Sequence, residues 1–271
     1  RSCFFCCKQE EKEPHGASSM HIRYHVLLVI PLLVWLAMFQ FCGLIPNEVR
    51  PSIDVKTLAV SERLLYGDPL LFRLFPESPF LAFLAAIPYL AHFSLPFLFS
   101  VYLWKLGRKP TVFLWYFGVM NGTAVAWQLL FPTAPPWYNA RFGYTAASYD
   151  LPGDPGRLAY VDDIIGFPLF QGIYGTSPLV FGSFPSLHAA WPFLISVYTS
   201  MFSIPFPRAK WIYCCWIWWA AVFTRHHFMV DVMGGVFFSF LSIFLTAWIV
   251  RRGYFNFIFD DDEPSPSDVS V

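Results

Sequence analysis

Charge is what this chain has least of. Only 13% of its 271 residues are Asp, Glu, Lys or Arg, 56% are hydrophobic, and the mean hydropathy is +0.49. A soluble domain carries roughly a quarter charged residues, so the composition excludes that class and points to a polytopic membrane protein. The formal net charge is zero, so no basic or acidic excess points to nucleic acid. Cysteine is also scarce, and six residues so placed form no disulfide framework. Cys42, Cys214 and Cys215 lie in apolar stretches, whereas Cys3, Cys6 and Cys7 cluster near the start. That cluster reads either as a palmitoylation site or as a reduced, unmodified cytosolic group; zinc would need more ligands. No internal repeat and no cleavable signal peptide is visible, and a first residue of arginine suggests a trimmed start.

Long apolar runs are what the chain has instead. Six stretches of about membrane length fall at roughly 24–45, 80–104, 111–131, 184–204, 209–224 and 228–249. Pro31, Pro88, Pro96 and Pro192 lie inside them, which membrane helices tolerate. The 46–79 connection contains a Ser61–Tyr66 run that reads as a short interfacial helix entering a Gly67-Asp68-Pro69 turn. The 132–183 connection is rich in Pro, Gly and aromatics, and a loop that long is more often functional than idle. The tail from Asp260 is acidic and poor in apolar residues, which predicts disorder. The expected organisation is a cytosolic segment 1–23, a catalytic membrane domain 24–250 and a tail 251–271.

Two short segments carry the chemistry: Gly182-Ser183-Phe184-Pro185-Ser186-Leu187-His188 and Thr224-Arg225-His226-His227-Phe228-Met229-Val230-Asp231. Each sets ionisable groups at the rim of an apolar run, where such groups are costly and usually mark a site. His227 and Asp231 are four apart and share a helix face. A carboxylate so placed keeps one imidazole nitrogen protonated and leaves the other as a lone pair. His188, from another helix, would supply the complementary acid. An oriented nucleophilic histidine plus a proton-donating one suffices for metal-free phosphoryl transfer through a phosphohistidine. A two-His-one-carboxylate metal site is the competing reading, and nothing in the histidine chemistry requires it.

The neighbours have two readings each. Ser183 and Ser186 either donate to phosphate oxygens at a helix N-terminus or cap that helix. Arg225 either contacts phosphate or anchors at the interface. Trp137 and Tyr138 either stack on a sugar-like headgroup or sit as interfacial aromatics. His226 reads as a bystander, His92 as a satisfied interior histidine, and Asn121 and Gln128 as interhelical hydrogen-bonders.

With six spans, the 46–79 and 132–183 loops and the 225–227 turn share one side. That side carries seven of the 18 basic residues and the opposite side carries 11. The positive-inside rule therefore puts both termini in the cytosol and His188 and His227 at a lumenal rim.

The second segment's Pro-Ser-x-His and the third's His-x-x-x-Asp resemble the motifs of the type-2 phosphatidic acid phosphatase superfamily. Within it, the chain is similar to the family of fungal inositol phosphorylceramide synthases. The likeness is carried by Leu64-Leu65-Tyr66-Gly67-Asp68, His92-Phe93-Ser94-Leu95-Pro96-Phe97 and Phe131-Pro132-Thr133-Ala134-Pro135-Pro136-Trp137-Tyr138, besides the two segments above. The resemblance implies an all-α membrane protein, a six-transmembrane-helix bundle with its active site at an extracytoplasmic rim. It also implies transfer of inositol phosphate from phosphatidylinositol to the primary hydroxyl of ceramide or phytoceramide, releasing diacylglycerol, with no cofactor and no metal. The implied catalytic residues are His188, His227 and Asp231. Asp162 matches an acidic position of the family's long loop and would accept from inositol hydroxyls, with solvated loop acid as its other reading. The partners implied are membrane lipids and a membrane regulatory subunit, and the place is the Golgi membrane.

The departures are informative. Superfamily phosphatases carry an Arg six residues before the third-motif His, where this chain has Ala221. Lys105-Leu106-Gly107-Arg108-Lys109-Pro110 mimics the first phosphatase motif but falls on the cytosolic side of this topology. Leu187 replaces a usual Gly. Fewer cations suit a phosphodiester monoanion better than a phosphomonoester dianion. A transferase is thus expected over the alternatives: a synthase with another phospholipid donor, a lipid phosphatase, or a catalytically dead scaffold or transporter.

Overall fold

The computed structural model describes residues 17–67 and 76–252, the side chains of 17–28 and Val250 excepted. The Cys3, Cys6 and Cys7 cluster, Asp68 and Pro69 of the turn, and the acidic tail lie outside the described residues. What is described is helical, and its extended pairing is limited to two isolated bridges.

Six longer helices fall on the six apolar stretches: α1 Ala17–Phe41, α3 Pro79–Lys105, α4 Pro110–Leu130, α8 Leu187–Met201, α9 Lys210–Phe223 and α10 Met229–Arg251. Four short ones sit in the connections: α2 Thr57–Tyr66, α5 Pro136–Phe142, α6 Ala159–Ile165 and α7 Leu169–Gly175. The starts are sequence-coded. Pro79, Pro110 and Pro136 open α3, α4 and α5, where a missing N–H costs nothing. Ser78 and Ser186 cap α3 and α8 with their hydroxyls. Gly67, at φ +81°, ends α2 at the expected turn.

Two helices, Pro79–Lys105 and Met229–Ile249, are long and apolar enough to cross a membrane by themselves. The 15 and 14 residues of α8 and α9 rise only about 20 Å at 1.5 Å per residue, short of a hydrocarbon core of about 30 Å. The outer faces are apolar: Phe83, Phe93 and Phe97 of α3 and Phe237, Phe240 and Phe244 of α10 are all exposed. Patches of that kind are rare on proteins surrounded by water.

Between the helices lie two apolar clusters. One joins Phe99, Phe113, Phe117 and Met120 to Trp191, Leu194 and Tyr198, locking α3, α4 and α8. The other sets Ala82, Ala85, Ala86 and Tyr89 of α3 against Ala220, Ala221 and Phe223 of α9, with Leu158, Val161 and Phe170 above. Ala221, the residue that stands in place of an arginine, is fully buried in this small-residue contact. The helices there approach too closely for a guanidinium.

One end of the bundle is tied by backbone. Asp54 N–H donates to Pro132 O and Ala134 N–H to Asp54 O, both at 2.9 Å; Thr133 N–H donates to Phe181 O at 2.8 Å. Loops 46–56, 131–135 and 181–184 thus form one stitched strip. The Lys105–Pro110 turn lies at the opposite end of α3, a 27-residue helix and so about 40 Å away, beside Pro205, whose carbonyl accepts from Tyr102.

Candidate active site

The stitched strip delivers the second motif. Phe184 N–H donates to Thr133 Oγ1 at 3.1 Å, and Gln128 Nε2 donates to Gly182 O and Pro185 O at 2.9 Å each. Ser186 then caps α8, its hydroxyl accepting from Ala189 N–H at 3.4 Å, and His188 is the second residue of the helix. The third motif meets it through a close contact. A Cβ on Gly235 of α10 would stand 2.3 Å from Ser186 O, so only glycine lets α10 approach there. That approach brings Ser186 N–H to 3.0 Å from Asp231 O.

His227 lies not on α10 but in the turn before it, its backbone N–H donating to Ala221 O at 3.1 Å. Its Nδ1 is 2.9 Å from Ser183 O and 3.6 Å from Asp231 Oδ2. A carbonyl only accepts, so Nδ1 carries the proton and Nε2 is left with its lone pair. Nε2 faces His188 Nδ1 at 3.2 Å. The spacing of four therefore works differently from the sequence expectation: the Ser183 carbonyl sets the tautomer, and Asp231 backs it from farther off. Asp231 is fully buried, and its Oδ2 accepts from Ser183 Oγ at 2.6 Å and from Phe228 N–H at 2.8 Å. Charge-assisted bonds of that length hold the carboxylate rigidly.

His188 is held by ring contacts. It lies between Tyr89 and His92, ring centroids 4.5 and 4.8 Å away, and His92 stacks on Trp191 at 4.1 Å. Trp191 Nε1 donates to Asn121 Oδ1 at 2.8 Å, the interhelical bond expected of Asn121. His92 is not the satisfied interior histidine expected, since its Nδ1 is buried without a hydrogen-bond partner.

His226 is engaged at both nitrogens. Nε2 lies 3.3 Å from Asp154 O, and Nδ1 lies 3.2 Å from Thr224 Oγ1 and 3.3 Å from Tyr89 OH. Tyr174 covers its ring at 4.2 Å. Burial, with the adjoining His227 adding to it, pushes His226 down to about 3, so it is neutral at working pH. It ties the roof loop to the catalytic turn and has no lone pair left for attack.

The remaining expected contacts divide. Ser183 is buried and its hydroxyl is committed to Asp231; Ser186 is fully buried as a cap. Trp137 and Tyr138 are buried with Ala134 and Phe181 in the roof, and Tyr138 OH donates to Thr145 O at 2.9 Å. Asp162 accepts from Phe170 N–H at 2.9 Å and Gln171 N–H at 2.8 Å, which caps α7. Arg225 stands beside the site but pairs with Glu77 at 2.9 Å.

Sequence reasoning missed Tyr89, Glu77, Arg157 and Glu62. Glu62 of α2 is buried and accepts from Val230 N–H at 3.1 Å, capping the helix that carries Asp231. Burial, joined by the charge of Asp231, lifts its carboxyl above the usual range against the pull of the α10 amides.

This arrangement has known kin. A sequence model described as the PAP2 superfamily matches residues 56–245.

The chain belongs to the PAP2 superfamily.

Among curated relatives, it is 36% identical over 225 residues to inositol phosphorylceramide synthase of Candida albicans, covering 80% of this chain and 47% of that one. It is 38% identical over 226 residues to the inositol phosphorylceramide synthase catalytic subunit of Saccharomyces cerevisiae, covering 81% and 56%. Phosphoinositol dihydroceramide synthase of Bacteroides thetaiotaomicron is 28% identical over 249 residues, covering 84% and 79%. The chain spans about half the length of the fungal relatives it matches. No solved structure matches it. The superfamily match runs from the base of α2 into α10 and so encloses every site residue described above.

Proposed function

We propose that this PAP2-superfamily protein is an inositol phosphorylceramide synthase, moving inositol phosphate from phosphatidylinositol to the primary hydroxyl of ceramide or phytoceramide. One observation carries the reading: His227 Nε2, deprotonated because Nδ1 is held by the Ser183 carbonyl, faces His188 Nδ1 at 3.2 Å. The printed names of its relatives, all inositol-phosphate transferases to ceramide, point the same way.

As the phosphodiester enters, His188 gives up its contact with Nε2 and turns to the leaving oxygen. Nε2 attacks phosphorus, the bond to the diacylglycerol oxygen breaks, and His188 protonates that oxygen. The developing imidazolium is stabilised through Nδ1–H by the Ser183 carbonyl and Asp231. In the second half, neutral His188 takes the proton from the ceramide hydroxyl, whose oxygen displaces Nε2 from phosphorus. Ala221 in place of an arginine suits a singly charged diester, which needs less compensation than a phosphomonoester.

In this reading the six longer helices cross the bilayer, with the site at a lumenal rim of the Golgi membrane and both termini cytosolic. Residues 24–250 form the catalytic domain, and both lipids enter laterally because their tails do not leave hydrocarbon cheaply. A membrane regulatory subunit fits a relative whose name calls it a catalytic subunit. The test is purified protein with labelled phosphatidylinositol, with and without ceramide. Labelled lipid product only with ceramide supports the synthase; release of phosphate or inositol phosphate into water in place of that product makes it a hydrolase.

A further inference from the structure

Three charged side chains from distant parts of the chain meet beside His227. Arg225 Nη2 lies 2.9 Å from Glu77 Oε1, and Arg157 Nε lies 3.6 Å from the same oxygen. Tyr160 OH donates to Glu77 Oε2 at 2.9 Å. Arg157 is buried, its guanidinium 4.7 Å above the Phe223 ring, and its backbone N–H donates to Thr224 O at 3.2 Å. Glu77, by contrast, is 47% exposed. A carboxylate gripped from behind by two cations and a phenol, yet open in front, is built to present acceptors.

The backbone adds an independent sign. Arg225 sits at φ +66°, the left-handed position after a helix that glycine or asparagine usually takes. Any other residue there costs about 1–2 kcal/mol. Strain of that kind persists where the side chain is needed, and here it aims a guanidinium from the residue two before His227. The loop bearing Arg157 is pressed against the same turn: a Cβ on Gly156 would lie 2.2 Å from Thr224 O.

We propose that Glu77, Arg225 and Arg157 form a headgroup-reading subsite that accepts a phosphodiester carrying an uncharged polyol and discriminates against cationic headgroups. This deepens the transferase reading and rests on it. Two guanidiniums against one carboxylate leave a net charge of +1. That charge attracts the diester monoanion and opposes the ammonium of a choline or ethanolamine group. Glu77 keeps lone pairs for polyol hydroxyls, and a site built to bond hydroxyls discriminates strongly because its polar groups are otherwise left unpaired. Arg225 supplies the charge at phosphate, with Arg157 fixing Glu77 from the buried side. Glu77 thus takes the role that Asp162, bound to the start of α7, cannot fill without giving up its cap.

Soluble competitors separate binding from turnover. Glycerophosphoinositol and glycerophosphocholine would be titrated as inhibitors of transfer in detergent–lipid micelles, with the wild type, Glu77→Gln and Arg225→Gly. The wild type should favour the inositol compound. Glu77→Gln, which keeps the shape, should cut that preference about tenfold, the scale of a lost charged hydrogen bond. Arg225→Gly relieves the left-handed strain, so it should keep or raise thermal stability while weakening both inhibitors by a similar factor of about ten. A purely structural ion pair would instead leave the preference within twofold in a folded Glu77→Gln, and that result overturns the proposal. Failure of the wild type to transfer at all would overturn the transferase reading instead, so the two can be told apart.

Discussion

The catalytic turn and the roof loop use polar residues in opposite ways. Around His227 each polar partner points inward and defines a reactive atom: the Ser183 carbonyl holds Nδ1, the Ser183 hydroxyl holds Asp231, and Nε2 is left facing His188. In the roof, the groups expected to read a headgroup are spent on the loop itself. Asp162 caps α7, Tyr138 OH bonds Thr145 O, and Trp137 packs under Phe181 and Ala134. The difference follows from length. A loop of some fifty residues must satisfy its own backbone before it can serve a ligand. The catalytic turn is short, braced by α8, α9 and α10, and can hold a polar atom in reserve.

The sharpest way to break the contrast is to remove the reacting groups. His188→Ala, His227→Ala and Asp231→Ala should each abolish transfer in folded, membrane-inserted protein. Double variants should be hardly worse than singles, since the groups act as a unit. Near-normal transfer by any one of the three would remove that residue from the mechanism.

A smaller effect is expected one bond further out. Ser183→Ala keeps the carbonyl that sets the tautomer but deletes the 2.6 Å bond to Asp231. Transfer should fall roughly tenfold to a hundredfold, the scale of a hydrogen bond to a charged group. Glu62→Gln, which still accepts from Val230 N–H, should outperform Glu62→Ala by a factor of about five, the scale of a helix cap. Equal activity of the two Glu62 variants would mean that the cap does not position Asp231.

The two motifs and their order were legible in the sequence because their chemistry is local: Ser-x-His at a helix start, and His and Asp four apart. The helices were legible too, since apolar runs, prolines and serine caps declare themselves over a few residues. Tertiary pairings were not. Nothing near Glu77 or Glu62 in sequence announces that one grips Arg225 across 148 residues and the other caps α10 across 168. Tyr89 and His92 read as ordinary residues of an apolar helix until folding places His188 between their rings. Asp162 misled for the converse reason: an acidic residue in a long loop looks available, and only the fold reveals the two amides it serves. Ala221 was visible as a missing cation, but its small-residue contact with α3 was not.

His226 sharpens the contrast through pH, because it serves structure from inside the catalytic turn. Its pKa falls from an ordinary value near 6.5 to about 3 on folding. Between those values the unfolded chain binds more protons, so stability is full above about 6.5 and is lost as pH falls. The loss should be about 2 kcal/mol between pH 7 and pH 5. Thermal melts of the wild type should show that decline, and His226→Asn should flatten it; equal slopes would show that His226 does not stay neutral in the fold.

The smallest effect belongs to the roof. Asp162→Ala should lower the melting temperature, as loss of a cap of about 1 kcal/mol would, and change transfer by no more than about fivefold. A larger loss of transfer with an unchanged melt would return Asp162 to headgroup binding and weaken the distinction between the two regions.

The most direct test of the account is where the inositol phosphate goes when no acceptor is present. Protein given phosphatidylinositol labelled in its phosphate, without ceramide, would be quenched at high pH, digested and mapped by mass spectrometry. The label should sit on His227, be lost in acid, and pass into lipid product when ceramide is added before the quench. Steady transfer to ceramide with no label at His227, or with the label on another residue, would contradict a nucleophilic His227.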